Sequence, residues 1–185
     1  MKVLAFAGSL RRGSYNRLLL EEAARLADGA EIEVYDRLGE IPPYNEDLEA
    51  DPPEPVLDLR RRIAEADGLL FATPEYNGSV SGVLKNAVDW ASRPKGEAVL
   101  LNKPAAVIGA SQGAFGAVWA QADLRKSLGI AGARVVEAEL AVSHAHQRFD
   151  GEGRLTDDEL RDGLTEVIRL LTAEIAQRLS TASVR

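Results

Sequence analysis

The sequence predicts an α/β fold: a doubly wound, five-stranded parallel sheet with strand order 2-1-3-4-5. Apolar strand-like runs alternate with amphipathic helix-like stretches five times along the chain, the pattern of a sheet covered by crossover helices. The runs at Val3–Ala7, Leu69–Ala72 and Ala105–Ala110 are continuously apolar, as strands buried on both faces must be. The 185 residues, 45% hydrophobic and 28% charged, suit about one domain of ordinary globular composition.

Val3–Ala7 is the first strand and ends in Gly8-Ser9. Leu18, Leu19, Ala23 and Leu26 recur at helical spacing, which predicts a helix over Ser14–Ala27. Ile32–Tyr35 alternates as an edge strand does. Leu59, Ile63 and Ala66 share one face of a helix over Val56–Ala66. Leu69–Ala72 is the third strand, and Val83–Ala91 the helix after it. Ala105–Ala110 is the fourth strand, followed by a helix over Ala117–Leu128. Arg134–Val142 is the expected fifth strand, and Thr156–Leu179 a long closing helix. Five such units with right-handed crossovers give the flavodoxin-like order. Two stretches are irregular: Asp36–Pro55, rich in proline and acid, and Ser143–Arg154, with glycine and histidine. No linker or repeat divides the chain, so residues 1–185 are expected to form one domain, with 180–185 as a frayed tail.

Composition excludes several function classes. There are no cysteines, so disulfide frameworks, thiolate nucleophiles and cysteine-ligated metals are excluded, and a cytoplasmic location fits. The formal net charge is −7, which disfavours a nucleic-acid partner because phosphate backbones call for a basic face. No apolar run approaches the ~20 residues of a membrane helix. The run at Val3–Ala7 is too short for a signal peptide, and Arg11-Arg12 follow it. His144 and His146 lack a third ligand in any evident pattern, so no metal is expected. Neither Ser9 nor Ser111 lies in G-x-S-x-G. Arg60-Arg61-Arg62 and Arg125-Lys126 read as exposed helix charges, and Trp90 and Trp119 as core or interface.

Ligands of such folds bind outside the carboxyl ends of the strands, where the strand order switches. That points to three loops. The first, Gly8–Asn16, joins a strand to a helix N-terminus, where free N–H groups and the helix dipole attract anions. Ser9 and Ser14 add hydroxyls, Arg11 a planar guanidinium fork, and Asn16 an amide. The lysine of G-x-x-x-x-G-K-[ST] is missing and G-x-G-x-x-G is absent, so the loop suits one terminal phosphate, as on a mononucleotide. The second, Thr73–Ser79, offers rigid Pro74, aromatic Tyr76, and Asn77-Gly78, where a flat heteroaromatic ring could approach. The third, Ser111–Gly116, has glycines that let backbone pass close to a ligand.

Gly8-Ser9-Leu10-Arg11 with Ser14 and Asn16, followed by the run from Thr73-Pro74-Glu75-Tyr76-Asn77-Gly78-Ser79 through Ser81, Leu84, Lys85 and Asn86 to Asp89-Trp90, resembles the NADPH-dependent FMN reductase family. That family includes quinone, chromate and azo-dye reductases. The resemblance runs from about residue 2 to about residue 142, and Ser81 departs from it where many members have proline. It implies FMN as cofactor, NADPH or NADH as co-substrate, and quinones, free flavin or similar small molecules as electron acceptors. By resemblance Ser9, Arg11, Ser14 and Asn16 would hold the FMN phosphate. Pro74, Glu75, Tyr76 and Asn77 would line the isoalloxazine, partly through backbone. Ser111, Gly113 and Gly116 would frame its other margin. Hydride transfer needs no protein acid or base, so no catalytic side chain is expected. The resemblance also implies a homodimer or homotetramer, with contacts around Val83–Trp90. The alternative reading is an FMN-binding electron carrier or sensor without direct NAD(P)H turnover.

Overall fold

The structure, a computed structural model, describes residues 1–182. The strands and helices follow in the order β1 (Lys2–Ala7), α1 (Tyr15–Leu26), β2 (Glu31–Val34), α2 (Glu54–Glu65), β3 (Gly68–Thr73), β4 (Glu75–Tyr76), β5 (Ser79–Val80), α3 (Gly82–Ala91), β6 (Pro104–Ala110), α4 (Val118–Ile130), β7 (Arg134–Val135), β8 (Ala141–Val142) and α5 (Asp158–Ala182). The main sheet runs β2-β1-β3-β6-β7, all parallel, with β8 also pairing β6. This is the expected 2-1-3-4-5 arrangement, with its fifth position divided between two short strands.

The pleat sorts side chains into two cores. Val3, Ala5, Leu70, Ala72, Ala106 and Ile108 face α1 and α5, meeting Leu19, Leu20, Leu164, Val167 and Leu171. Leu4, Phe6, Leu69, Phe71 and Val107 face the opposite layer, meeting Val56, Leu59, Leu84, Trp90 and Leu124. Every residue of β3 and β6 is buried, whereas β2 alternates exposed and half-buried. Full burial of the central strands is what their unbroken apolar runs require.

The fifth strand departs from the expected Arg134–Val142. β7 pairs only Pro104 and Ala105, and β8 only Gly109 and Ala110. Arg125 serves the gap between them: its Nη2 donates to the carbonyls of Val107 (3.2 Å) and Ala138 (2.7 Å). Arg125 is therefore not a solvated helix charge. Neither is Arg60, whose Nε donates to the Trp90 carbonyl at 3.1 Å and whose guanidinium lies over the Trp90 ring.

The segment Asp36–Pro55 contains two 3-10 turns and is tied to α3. Asn86 Oδ1 accepts the Tyr44 N–H (2.8 Å), and its Nδ2 donates to the Pro42 carbonyl (3.0 Å). The Trp90 indole N–H also donates to Pro42 (2.8 Å). Asn86 and Trp90 therefore face inward on this segment. Arg93, at the far end of α3, is paired with Glu49 and Tyr44. Ser180–Ala182 continue α5 rather than fray, and the rest of the expected tail lies outside the described residues. Among the described residues no helix is long and apolar enough to cross a membrane.

Candidate functional site

Three loops leave the carboxyl ends of β1, β3 and β6 on the same edge of the sheet. The first turns from β1 into α1. Ser14 is the N-cap, its Oγ accepting the Arg17 N–H at 3.3 Å. The first turn of α1 carries no acidic residue. Among the described residues the N–H groups of Tyr15 and Asn16 have no acceptor. A positive helix end with two open N–H groups and no acidic residue in its first turn suits an anion. Arg11 is exposed, makes no ion pair among the described residues, and rests its guanidinium carbon 5.2 Å from the Tyr15 ring centroid. Tyr15 in turn stacks on Phe149, with centroids 6.1 Å apart.

Gly8 lets this loop touch the second. Its N–H donates to the Ala72 carbonyl (2.8 Å). A Cβ there would stand 2.4 Å from Leu84 Cδ1 and 2.7 Å from Pro74 Cδ, so no larger residue fits without displacing one of them.

Asn16 is placed differently from the expectation. Its side chain is buried, donating Nδ2–H to the Ala110 carbonyl (2.9 Å) and accepting the Ala110 N–H at Oδ1 (2.9 Å). The amide thus acts as a backbone surrogate, tying the start of α1 to the end of β6 across the intervening β3. Only its own backbone N–H remains open to a phosphate.

The second loop is a β-hairpin rather than an open turn. β4 and β5 pair antiparallel around Asn77-Gly78, whose φ values are 53° and 72°. Two consecutive positive φ values are the signature of a tight hairpin turn, for which Asn-Gly is the preferred pair. Asn77 sits exposed at the hairpin tip and is not among the residues that line the cleft. Glu75 Oε2 accepts the N–H groups of Trp119 (3.0 Å) and Ala120 (3.1 Å) in the first turn of α4. Ser79 Oγ donates to Asp123 (2.7 Å) one turn further on. Tyr76 is 55% exposed.

The third loop carries Ser111, whose Oγ accepts the Gly113 N–H (3.1 Å) and whose carbonyl accepts the Ala145 N–H (3.0 Å). Gly113 is exposed and takes the His144 N–H on its carbonyl (3.0 Å). Gly116 is buried at φ 57°, with the Ala141 carbonyl carbon 2.6 Å from where a Cβ would stand. Its lack of a side chain serves packing against β8, and it is not among the residues that line the cleft. Phe115 and Trp119 pack edge to face, with centroids 4.9 Å apart, and are 62% and 50% exposed.

Ser9, Arg11, Ser14, Asn16, Pro74, Glu75, Tyr76 and Ser111 line one cleft of about 330 Å³. Tyr15, Ala110 and Gln112 complete its wall. The position of Tyr15 beside the N-cap was the available signal for that residue. For Gln112 it was membership of the third loop. A second cavity of about 460 Å³ shares Ser9, Arg11 and Tyr76 with the first and extends to Gly8, Leu10, Ser81, Gly82 and Val83. The donor set fits FMN: a guanidinium, hydroxyls and free N–H groups collect at one end, and Pro74 and Tyr76 offer a flat surface beside them.

A doubly wound sheet with a phosphate-type helix terminus and an aromatic loop at its switch point defines a flavodoxin-like flavoprotein. The description "NADPH-dependent FMN reductase" matches residues 1–147, and the chain belongs to that family. It is 47% identical over 174 residues to an NAD(P)H-dependent FMN reductase of Pseudomonas aeruginosa, covering 92% of this chain and 93% of the relative. It is 38% identical over 179 residues to a 2-hydroxy-1,4-benzoquinone reductase of a Burkholderia species, covering 96% and 98%. Among solved structures, the NAD(P)H:acceptor oxidoreductase FerB of Paracoccus denitrificans superposes with a TM-score of 0.87 at 39% identity, over 95% of this chain and 97% of that one. The protein is an FMN-dependent NAD(P)H oxidoreductase.

Proposed function

We propose that the protein passes reducing equivalents from NADPH or NADH, through FMN held in this cleft, to a quinone, with free flavin as a further acceptor. One observation carries the reading: the three switch-point loops close on a single cleft whose two ends differ in chemistry. At one end Arg11, the hydroxyls of Ser9 and Ser14, and the N–H groups of Tyr15 and Asn16 bind the phosphate. At the other, Pro74, the Tyr76 ring and the backbone of β4 support the isoalloxazine, with Ser111 at its margin. When bound, FMN supplies the hydride chemistry. The protein's own contribution is binding and orientation, which fixes the reacting groups in contact and so lowers the entropic barrier.

The chain acts as a single FMN-binding domain. The exposed Phe115, Val118 and Trp119 support a homodimer or homotetramer. The absence of cysteine supports a cytoplasmic location, where the reduced nicotinamide pool lies. Purified protein reconstituted with FMN is expected to show a flavin absorption spectrum and to oxidise NADPH or NADH continuously when benzoquinone is added. A yellow protein without turnover would mark it as a carrier or sensor. Failure to retain FMN at micromolar concentration would overturn the assignment of the cleft. Sedimentation analysis tests the assembly, with a monomeric mass as the contrary result.

A further inference from the structure

The cap of α4 comes from the wrong side of the sequence. Its N-cap residue, Ala117, is in the left-handed region at φ 65° and has no side chain able to accept. The acceptor is Glu75, which belongs to the ring loop and lines the cleft. One carboxylate oxygen takes two of the orphan N–H groups that every helix N-terminus leaves, and the helix dipole strengthens that contact. At the other end of the hairpin, Ser79 is bonded to Asp123 on the same face of α4. The hairpin is therefore fastened to α4 at two points, and Glu75 is the neighbour of Tyr76 in β4. Trp119, whose backbone Glu75 grips, is also half of the exposed aromatic pair with Phe115.

We infer that Glu75 is a positioning residue for flavin binding: by clasping the N-terminus of α4 it fixes the distance between the ring loop and the third loop, and so the shape of the cleft. The inference rests on the FMN cleft proposed above. It differs from a ring contact by Glu75 itself, because both contacts of its Oε2 are to α4. It also differs from a plain helix cap, which would stabilise α4 without affecting the ligand.

The test uses the full chain with Glu75→Ala and Glu75→Gln. Glutamine keeps a neutral oxygen that can still accept from the helix; alanine does not. In the apoprotein, amide hydrogen exchange at Trp119 and Ala120 should accelerate strongly in the alanine variant and only mildly in the glutamine variant. Below the unfolding transition of both, Glu75→Ala should weaken FMN binding about tenfold or more, the scale of one lost charge-assisted hydrogen bond. Glu75→Gln should recover most of that loss. If the two amides exchange faster while FMN affinity stays at the parental value, Glu75 is a helix cap only and the inference fails. If exchange is unchanged, the clasp itself is absent. If the parental protein also fails to bind FMN, the reading of the cleft fails, which is a distinct result.

Discussion

Arg11 and Asn16 belong to the same loop but act on different partners. Arg11 is exposed, makes no ion pair among the described residues and lines the cleft. On the proposed phosphate contact, its replacement by alanine should remove a charge-assisted hydrogen bond of about 1.5–3 kcal/mol. FMN affinity should therefore fall by about ten- to a hundredfold, with the urea midpoint of the apoprotein unchanged. Flavin fluorescence titration reads the first quantity, and parental affinity would remove Arg11 from the site. Asn16→Leu should do the reverse in kind. It strands the Ala110 N–H and carbonyl, both buried, at about 1–3 kcal/mol for each unsatisfied group. Loss of stability in urea, before any ligand is added, is the expected result.

At the scale of elements, the hairpin and the interrupted fifth strand each depend on a small number of groups. Asn77→Ala forces alanine to a φ of 53°, a cost of roughly 1–2 kcal/mol. It should lower the melting temperature while leaving FMN affinity unchanged, since Asn77 stands at the tip and away from the cleft. Arg125→Leu removes the donor that serves Val107 and Ala138. Hydrogen exchange around residues 136–140 should rise, and protection equal to the parent would show that the guanidinium is not needed there. These two features also mark where the sequence was hard to read. The apolar runs of β1, β3 and β6 announced themselves because both faces are buried. The hairpin did not, because two-residue strands are too short for any alternation to be visible. The break in the fifth strand was hidden as well, since Arg134–Val142 keeps an apolar pattern and the missing ladder bonds are supplied by a side chain of the preceding helix, α4. The site divided the same way. That Ser9, Arg11 and Ser14 line one cleft was legible from chemistry and place, whereas the contacts of Asn16, Glu75 and Gly116 are with Ala110, α4 and Ala141, all remote in sequence.

Across the whole molecule, two buried groups shape the alkaline response of stability: Lys103, at the end of the sheet opposite the cleft, and Tyr35, just past the carboxyl end of β2. Lys103 is buried and donates Nζ–H to the carbonyls of Ala64 (3.2 Å) and Ala66 (2.6 Å) at the end of α2. Burial, with a smaller effect from Arg178, pushes its pKa down to about 8 from 10.5. The folded state therefore binds fewer protons than the unfolded chain between about pH 8 and 10.5, and stability rises with pH across that window. Tyr35 acts in the opposite sense. Burial and the neighbouring Asp58 hold its hydroxyl protonated beyond the ordinary tyrosine range. Only the unfolded chain then ionises just above pH 10, and stability falls there. Urea midpoints should climb from pH 7 to about pH 9–10 and then decline, and Lys103→Met should flatten the climb. A wild-type profile already flat from pH 7 to 10 would contradict this assignment.

The gap between β7 and β8 has a consequence for behaviour in concentrated solution. A long exposed border of free backbone donors and acceptors invites a strand from another molecule, and the first such pairing can seed fibrils. Here that border offers two runs of only two residues each, with a guanidinium occupying carbonyls in between. An incoming strand meets no continuous template on this side, so growth by sheet extension is blocked at its first step.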